Sequence, residues 1–267
     1  MIRASIWTAA IGMFSVVSAV PAAAQDMMRH IDLTSPEMTS AEMTRADVEA
    51  VIAAATSDQP ADFTGKKLSG LDLSGLDLSG ALLRAARLNR TKLNNAKLDR
   101  AILDQAWLLE ADLSRASLRG ANIFAAQMQR AKLDGANLSG ARIAADLTGA
   151  SLVGALLIGA NLSADMKNQS MGLMRAVLKS ANLERAILRD ADLSRVDLEF
   201  ANLKNADLSD ASLRGAALGG ANLTGVTIAG TDFFAADLVS ARLVAPIGLE
   251  AAKNFDKAQN VQRLLRE

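Results

Sequence analysis

A beat of five residues constrains this chain more than anything else in it. From Ala61 the sequence reads Ala-Asp-Phe-Thr-Gly, Lys-Lys-Leu-Ser-Gly, Leu-Asp-Leu-Ser-Gly, Leu-Asp-Leu-Ser-Gly, and it continues in this manner to about Val244. With the middle residue of each unit taken as its centre, 36 of 37 centres are Leu, Ile, Phe or Met, and 28 units carry Ala two positions earlier. Such a period matches neither the 3.6 of an amphipathic helix nor the alternation of a long strand, so the chain must bend every few residues. If the centre and the residue two before it point inward, each unit is a short extended piece followed by a corner. Four units then close a square coil, and stacking at about 4.8 Å gives a rod of roughly nine coils.

Composition agrees with a core built from few residue types. Half of the 267 residues are hydrophobic, yet aromatics make up 3% and Tyr is absent, so Ala and Leu must fill the interior. The Ala-(Asp/Asn)-Leu-X-X units resemble the pentapeptide-repeat family over residues 61 to about 244. That resemblance implies an all-β solenoid, a right-handed quadrilateral β-helix. It also brings to mind the family's known mimicry of duplex DNA, in which an acidic rod inhibits type II topoisomerases. Balanced charge opposes that alternative, because mimicry needs a strongly negative face, and so does the signal peptide expected at the N-terminus, because the topoisomerase target is cytoplasmic.

The flanks complete the organisation. Arg3, the apolar stretch Ile6–Val20 and Pro21-Ala22-Ala23-Ala24 have the layout of a signal peptide, residues 1–24, with cleavage expected after Ala24. About 15 apolar residues diluted by Thr8, Gly12, Ser15 and Ser18 fall short of the ~20 that span a bilayer. The chain is therefore expected to be exported, periplasmic or secreted, with no transmembrane segment. Without Arg3 the mature chain holds 28 Lys and Arg against 29 Asp and Glu, a net charge of −1. Residues 25–60 read as a tail, to about residue 33, and an N-terminal capping helix. There Thr44 and Asp47 form a start resembling a capping box ahead of Val48, Val51, Ile52 and Ala55. The solenoid occupies 61–245. In 246–267, the spacing of Leu249, Ala252, Phe255, Ala258, Val261 and Leu265 predicts a second capping helix.

The beat slips twice. Centres Ile143 and Leu147 are four apart, and Leu162 and Asn168 six apart, so the phase is regained. Asn168 is the polar centre, flanked by Met166 and Met171, which points to a bulge or loop over 163–175. It is read either as a tolerated irregularity or as a feature facing a partner, with no insertion longer than a residue or two.

Signals of chemistry are sparse. The single His, His30, lies in the tail, cysteine is absent, and no nucleophile, phosphate-loop or metal motif appears. The chain is read as a non-enzyme without cofactor, metal site or small-molecule substrate. Asp72, Asp112, Asn137, Asn182, Asp192, Asn202 and Asp207, each just before a centre, are expected to bond backbone at the corners rather than work as acid and base. Arg84, Arg87, Arg90, Lys92, Lys97 and Arg100 make an early coil basic, but few aromatic residues offer a stacking surface, so no nucleic acid is expected as partner.

Apolar residues at outward positions are the sharper clue. Leu82, Ile102, Trp107, Leu109 and Phe124 form one candidate protein-interaction patch, on one face or two adjoining ones. Val153, Leu156, Ile158, Met174 and Val177 form a second, on the other two faces beside the register slip. Either a partner protein or a second copy binds there, or caps and loops cover these residues.

Overall fold

The computed structural model describes residues 32–166 and 174–267. The expected signal peptide, the tail ahead of Asp32 with His30, and Asn168 lie outside the described residues.

Four ladders of parallel bridges run along the solenoid, one per side of the coil. Side 1 passes through Asp62, Leu82, Ile102, Asn122, Arg142, Asn161 and Asp192 to Lys253. Side 2 passes through Lys67, Arg87, Trp107, Gln127, Asp146, Val177 and Asp197 to Gln259. Side 3 begins at Asp72 and Lys92 and ends at Leu265; side 4 begins at Asp77 and Lys97 and ends at Ile247. Each side bonds in both directions along the axis. The Asp112 N–H donates to the Thr91 carbonyl at 3.0 Å, and the Leu113 N–H to the Lys132 carbonyl at 2.7 Å. Every coil thus satisfies the backbone of the next.

Inward positions are as the beat requires. The central Leu residues and the Ala residues two before them are buried almost without exception, as are Phe63 and Phe233 at two of the centres. Thr91 and Thr231 take Ala positions, and each hydroxyl donates to a carbonyl of the preceding coil, Leu68 and Leu208, so neither is orphaned. At the corner, the residue two past the centre has a left-handed backbone, as at Asn95 and Arg100, both with φ 58°. The centre carbonyl accepts from the N–H three residues on, as Leu98 does from Ala101 at 3.0 Å.

Most sides contribute a single bridging residue, because five residues leave no room for a longer strand between corners. Two continuous strands are exceptions, β1 (Asn122–Gln127) and β2 (Arg142–Asp146), which pair in parallel. Here the four-residue slip acts. Arg142 and Asp146 are consecutive rungs, Ala144 and Ala145 are both buried, and β2 lacks the left-handed corner residue that β1 has in Ala125.

The second slip is larger than the sequence suggested. Asn161 and Val177 are consecutive rungs although 16 residues separate them, where the regular step is five. The chain between them is eleven residues longer than that step, which corrects the expectation of an insertion of a residue or two. Met166, which stands at the Ala position of its unit, is too large for that narrow place and is 49% exposed. The exit is pinned: the Arg142 guanidinium pairs with the buried Asp165 carboxylate at 3.1 Å, and the Asp165 N–H donates to the Met174 carbonyl at 2.8 Å.

At the N-terminal end, α1 (Pro36–Thr39) and α2 (Arg45–Ala54) precede the first coil. Thr44 and Asp47 close a reciprocal capping box, and Val48 is buried against the solenoid core. This segment covers edge carbonyls that a preceding coil would otherwise bond. The Lys67 carbonyl accepts from the Glu42 N–H at 2.9 Å, and the Asp72 and Ser74 carbonyls accept from the Arg45 guanidinium at 2.9 and 3.2 Å.

The α-helix expected over 246–267 is not found. That segment continues the solenoid with a longer beat, placing Ile247, Lys253, Gln259 and Leu265 on the ladders, six residues apart. One-turn 3₁₀ segments, Leu249–Ala251, Phe255–Lys257 and Val261–Arg263, make its corners, each entered through a left-handed residue: Gly248, Asn254 or Asn260. Phe255 meets Phe233 edge to face at 5.2 Å.

Candidate interaction surface

The first patch divides over two adjoining sides. Leu82 and Ile102 are bridge partners on side 1, and Phe124 follows one coil later, just past its centre. Trp107 is a rung of side 2, with Leu109 just past the same centre. All five are half-buried. Phe124 is partly roofed by the Arg142 guanidinium, 5.1 Å from its ring centroid. Trp107 lies between Arg87 and Gln127 on its ladder.

Side 2 is also where the chain binds part of itself. Residues Asp32–Met43 form a strap across its first two coils. Glu37 is gripped by Lys67 at 2.5 Å and Arg87 at 3.0 Å, which together hold its carboxyl below the usual range, Lys67 contributing most. Met38 is 4% exposed, and its carbonyl accepts from the Asn89 amide at 3.0 Å. The other end of that amide, Asn89 Oδ1, accepts from the Leu109 N–H at 3.0 Å, which couples the strap to the rung of Trp107. Further along the side, Gln129 donates to both Gln127, at 3.0 Å, and Asp146, at 2.7 Å.

The second patch comes together only in part. Leu156 and Ile158 share side 4, where Leu156 bridges to Ile187; Val153 lies on side 3; Met174 belongs to the excursion; and Val177 is a buried rung of side 2. The extra residues between Asn161 and Val177 break the register that would have aligned these positions.

The remaining charged groups mostly neutralise one another. In the basic coil Arg84 faces Asp104, Arg90 pairs with Glu110 at 3.0 Å, Lys92 with Asp72 at 3.6 Å and Lys97 with Asp77 at 3.4 Å. The Asp72 and Asp77 carboxyls are held low, first by the Ser74 and Ser79 hydrogen bonds and further by these lysines. All seven Asp and Asn residues singled out in the sequence accept the backbone N–H two residues on, as Asp112 does from Ser114 and Asn137 from Ser139, both at 3.0 Å. Asn182, Asn202 and Asn222 also bond to one another along side 3, at 3.0 and 3.1 Å. Among the described residues no three His, Cys, Asp or Glu side chains are grouped to hold a metal ion, and no helix is long and apolar enough to cross a membrane.

The model for pentapeptide repeats matches residues 67–105, 108–140, 143–164, 173–210 and 211–244, in eight copies. The chain belongs to the pentapeptide-repeat family. Its fold is accordingly the right-handed quadrilateral β-helix of that family. Among solved structures it is similar to HetL, a pentapeptide repeat protein involved in heterocyst differentiation regulation from the cyanobacterium Nostoc. The two are 30% identical over 81% of this chain and 94% of HetL, with a TM-score of 0.52. It is 20% identical to QnrB1, a plasmid-mediated fluoroquinolone resistance protein, over 75% of this chain and 87% of that one, TM-score 0.42. A pentapeptide repeat protein of the Arabidopsis thaliana thylakoid lumen is 34% identical over 38% of this chain and 65% of its own, TM-score 0.21. No curated protein sequence matches the chain significantly.

Sequence reasoning placed Trp107 and missed the strap. Its signal was Ser35 followed by Pro36 and Glu37, a helix start with proline in its first turn and an acidic residue beside it, nine residues before the start that was read at Thr44.

Proposed function

We propose that this pentapeptide-repeat protein is an exported, non-enzymatic scaffold of about nine coils that acts by binding another protein through side 2. One observation carries the reading. Trp107, a large aromatic residue at a rung position, adjoins the surface on which the chain already holds a segment of its own. Partly exposed aromatic anchors beside apolar and amide neighbours are what protein interfaces are built around. Charge supports a contact of this kind over long-range steering, because most early basic residues are neutralised locally. The regulatory role of the related HetL supports action through contacts as well. Export rests on the leader, Met1 to Ala24.

The test is crosslinking of the tagged protein in intact cells, wild type against Trp107→Asp, with mass identification of what is captured and of the chain's own N-terminus. Wild type is expected to capture one defined partner, and the variant at least ten-fold less. Equal capture by both sinks the assignment to side 2, and a cytoplasmic chain retaining residues 1–24 sinks export.

A further inference from the structure

The strap shows what side 2 accepts. We infer that Asp32–Met43 is a displaceable resident ligand, and that the partner's docking segment is an acidic peptide of the same chemistry: a carboxylate followed directly by a large apolar side chain. This rests on the interaction reading above and deepens it.

Three features carry the inference. First, the recognition is specific in kind. A single carboxylate, that of Glu37, sits between two cations one coil apart on the same ladder, Lys67 and Arg87, and the next residue, Met38, is buried, with its carbonyl accepting from the Asn89 amide. Second, the fit is imperfect. Ser69 is 4% exposed, and its hydroxyl has no hydrogen-bond partner; the Nε of Arg87 is likewise buried and unpaired. Ser69 follows Leu68, the residue that Ala41 of the strap bridges, so it adjoins the place where the strap meets the solenoid. Buried polar groups left unpaired favour any ligand that satisfies them. The backbone joins strap to solenoid only lightly, through the Ala41–Leu68 bridge and the Glu42 bond to Lys67, whereas repeats inside the solenoid are bonded along both edges.

Third, the strap has a direction. Met38 meets Asn89 in the second coil, Ala41 and Glu42 meet the first coil, and Arg45 reaches its outer edge. The strap therefore runs against the coil order, and the next rung beyond its Asn89 contact is that of Trp107 and Leu109. A partner segment seated like the strap but longer at its N-terminal end would reach Trp107, gaining a contact the strap does not make. It needs that gain, because a tethered competitor acts at an effective concentration on the order of millimolar.

The experiment uses the full chain and a fluorescein-labelled synthetic peptide with the sequence Asp32–Met43, read by fluorescence anisotropy. Glu37→Arg repels the strap from Lys67 and Arg87, and this variant should bind the peptide at least ten-fold more tightly than wild type does. Adding Arg87→Glu to it should cut that binding at least ten-fold, and a scrambled peptide should not bind. Circular dichroism confirms folding, and Glu37→Gln replaces Glu37→Arg if the latter fails to fold. Equal affinity for wild type and the released variant, or no binding to the released variant, overturns the inference. Peptide failure with partner loss in Trp107→Asp cells leaves the scaffold reading standing; peptide binding with no partner captured does the reverse.

Discussion

A left-handed backbone costs an ordinary L-residue about 1–2 kcal/mol, yet Arg90, Arg100, Arg115 and Phe200 all hold one at coil corners. Several of them recover part of it by lying across the glycine at the same corner of the next coil. A β-carbon on Gly120 would sit 3.6 Å from the Arg100 side chain, an ordinary contact, whereas one on Gly220 would sit 2.6 Å from the Phe200 ring. Phe200 is 61% exposed and lies beneath the Lys179 ammonium, 5.7 Å from its centroid. Gly220→Ala should therefore destabilise by about 1–2 kcal/mol, from positive φ and displacement of the ring together. In urea unfolding, Phe200→Ala in the same chain should return part of the loss; a neutral Gly220→Ala would refute this account of the corner.

At the scale of elements, the edge cover at the N-terminal end concentrates on Arg45, whose guanidinium serves two carbonyls and also pairs with Glu49 at 2.7 Å. Arg45→Ala should free those carbonyls for pairing with other chains, raising light scattering at high protein concentration while lowering stability by about 1 kcal/mol. Static scattering against concentration checks this, and unchanged scattering counts against the edge argument. The helix above it was legible because Thr44 and Asp47 are a local signal. The C-terminal segment was misread for an equally local reason. Apolar residues three apart look like a helical face, but Leu249, Phe255 and Val261 lie six apart, as do Ala252, Ala258 and Leu264, and Gly248, Asn254 and Asn260 mark its corners at the same interval. Side 2 was only half legible, because Trp107 is visible in the repeat whereas the strap's seat is set by tertiary contacts of Glu37 and Met38.

For the whole molecule, charge balance matters through pairs that break together in acid. Asp62, Asp72 and Asp77 are held low chiefly by neighbouring hydroxyls; Asp207 and Asp232 are held low even though burial pushes them up, because Ser209 with Arg189, and Arg214 with Asn254, outweigh it. A depressed carboxyl stabilises the fold above its unfolded value and ceases to do so as pH falls through its folded one. The thermal midpoint should stay nearly level from pH 7 to about 5 and fall steeply below about 4, as a circular dichroism series would show; a level midpoint at pH 3 would contradict it. The excursion between Asn161 and Val177 bears on something else, the continuity of the chain itself. All four ladders close on either side of it, with Asn161 bridged to Arg142 and Asp192, and Val177 to Asp146 and Asp197. Among the described residues no rung lies between Asn161 and Val177, so a chain cut within that stretch should leave two polypeptides held together by the ladders on either side.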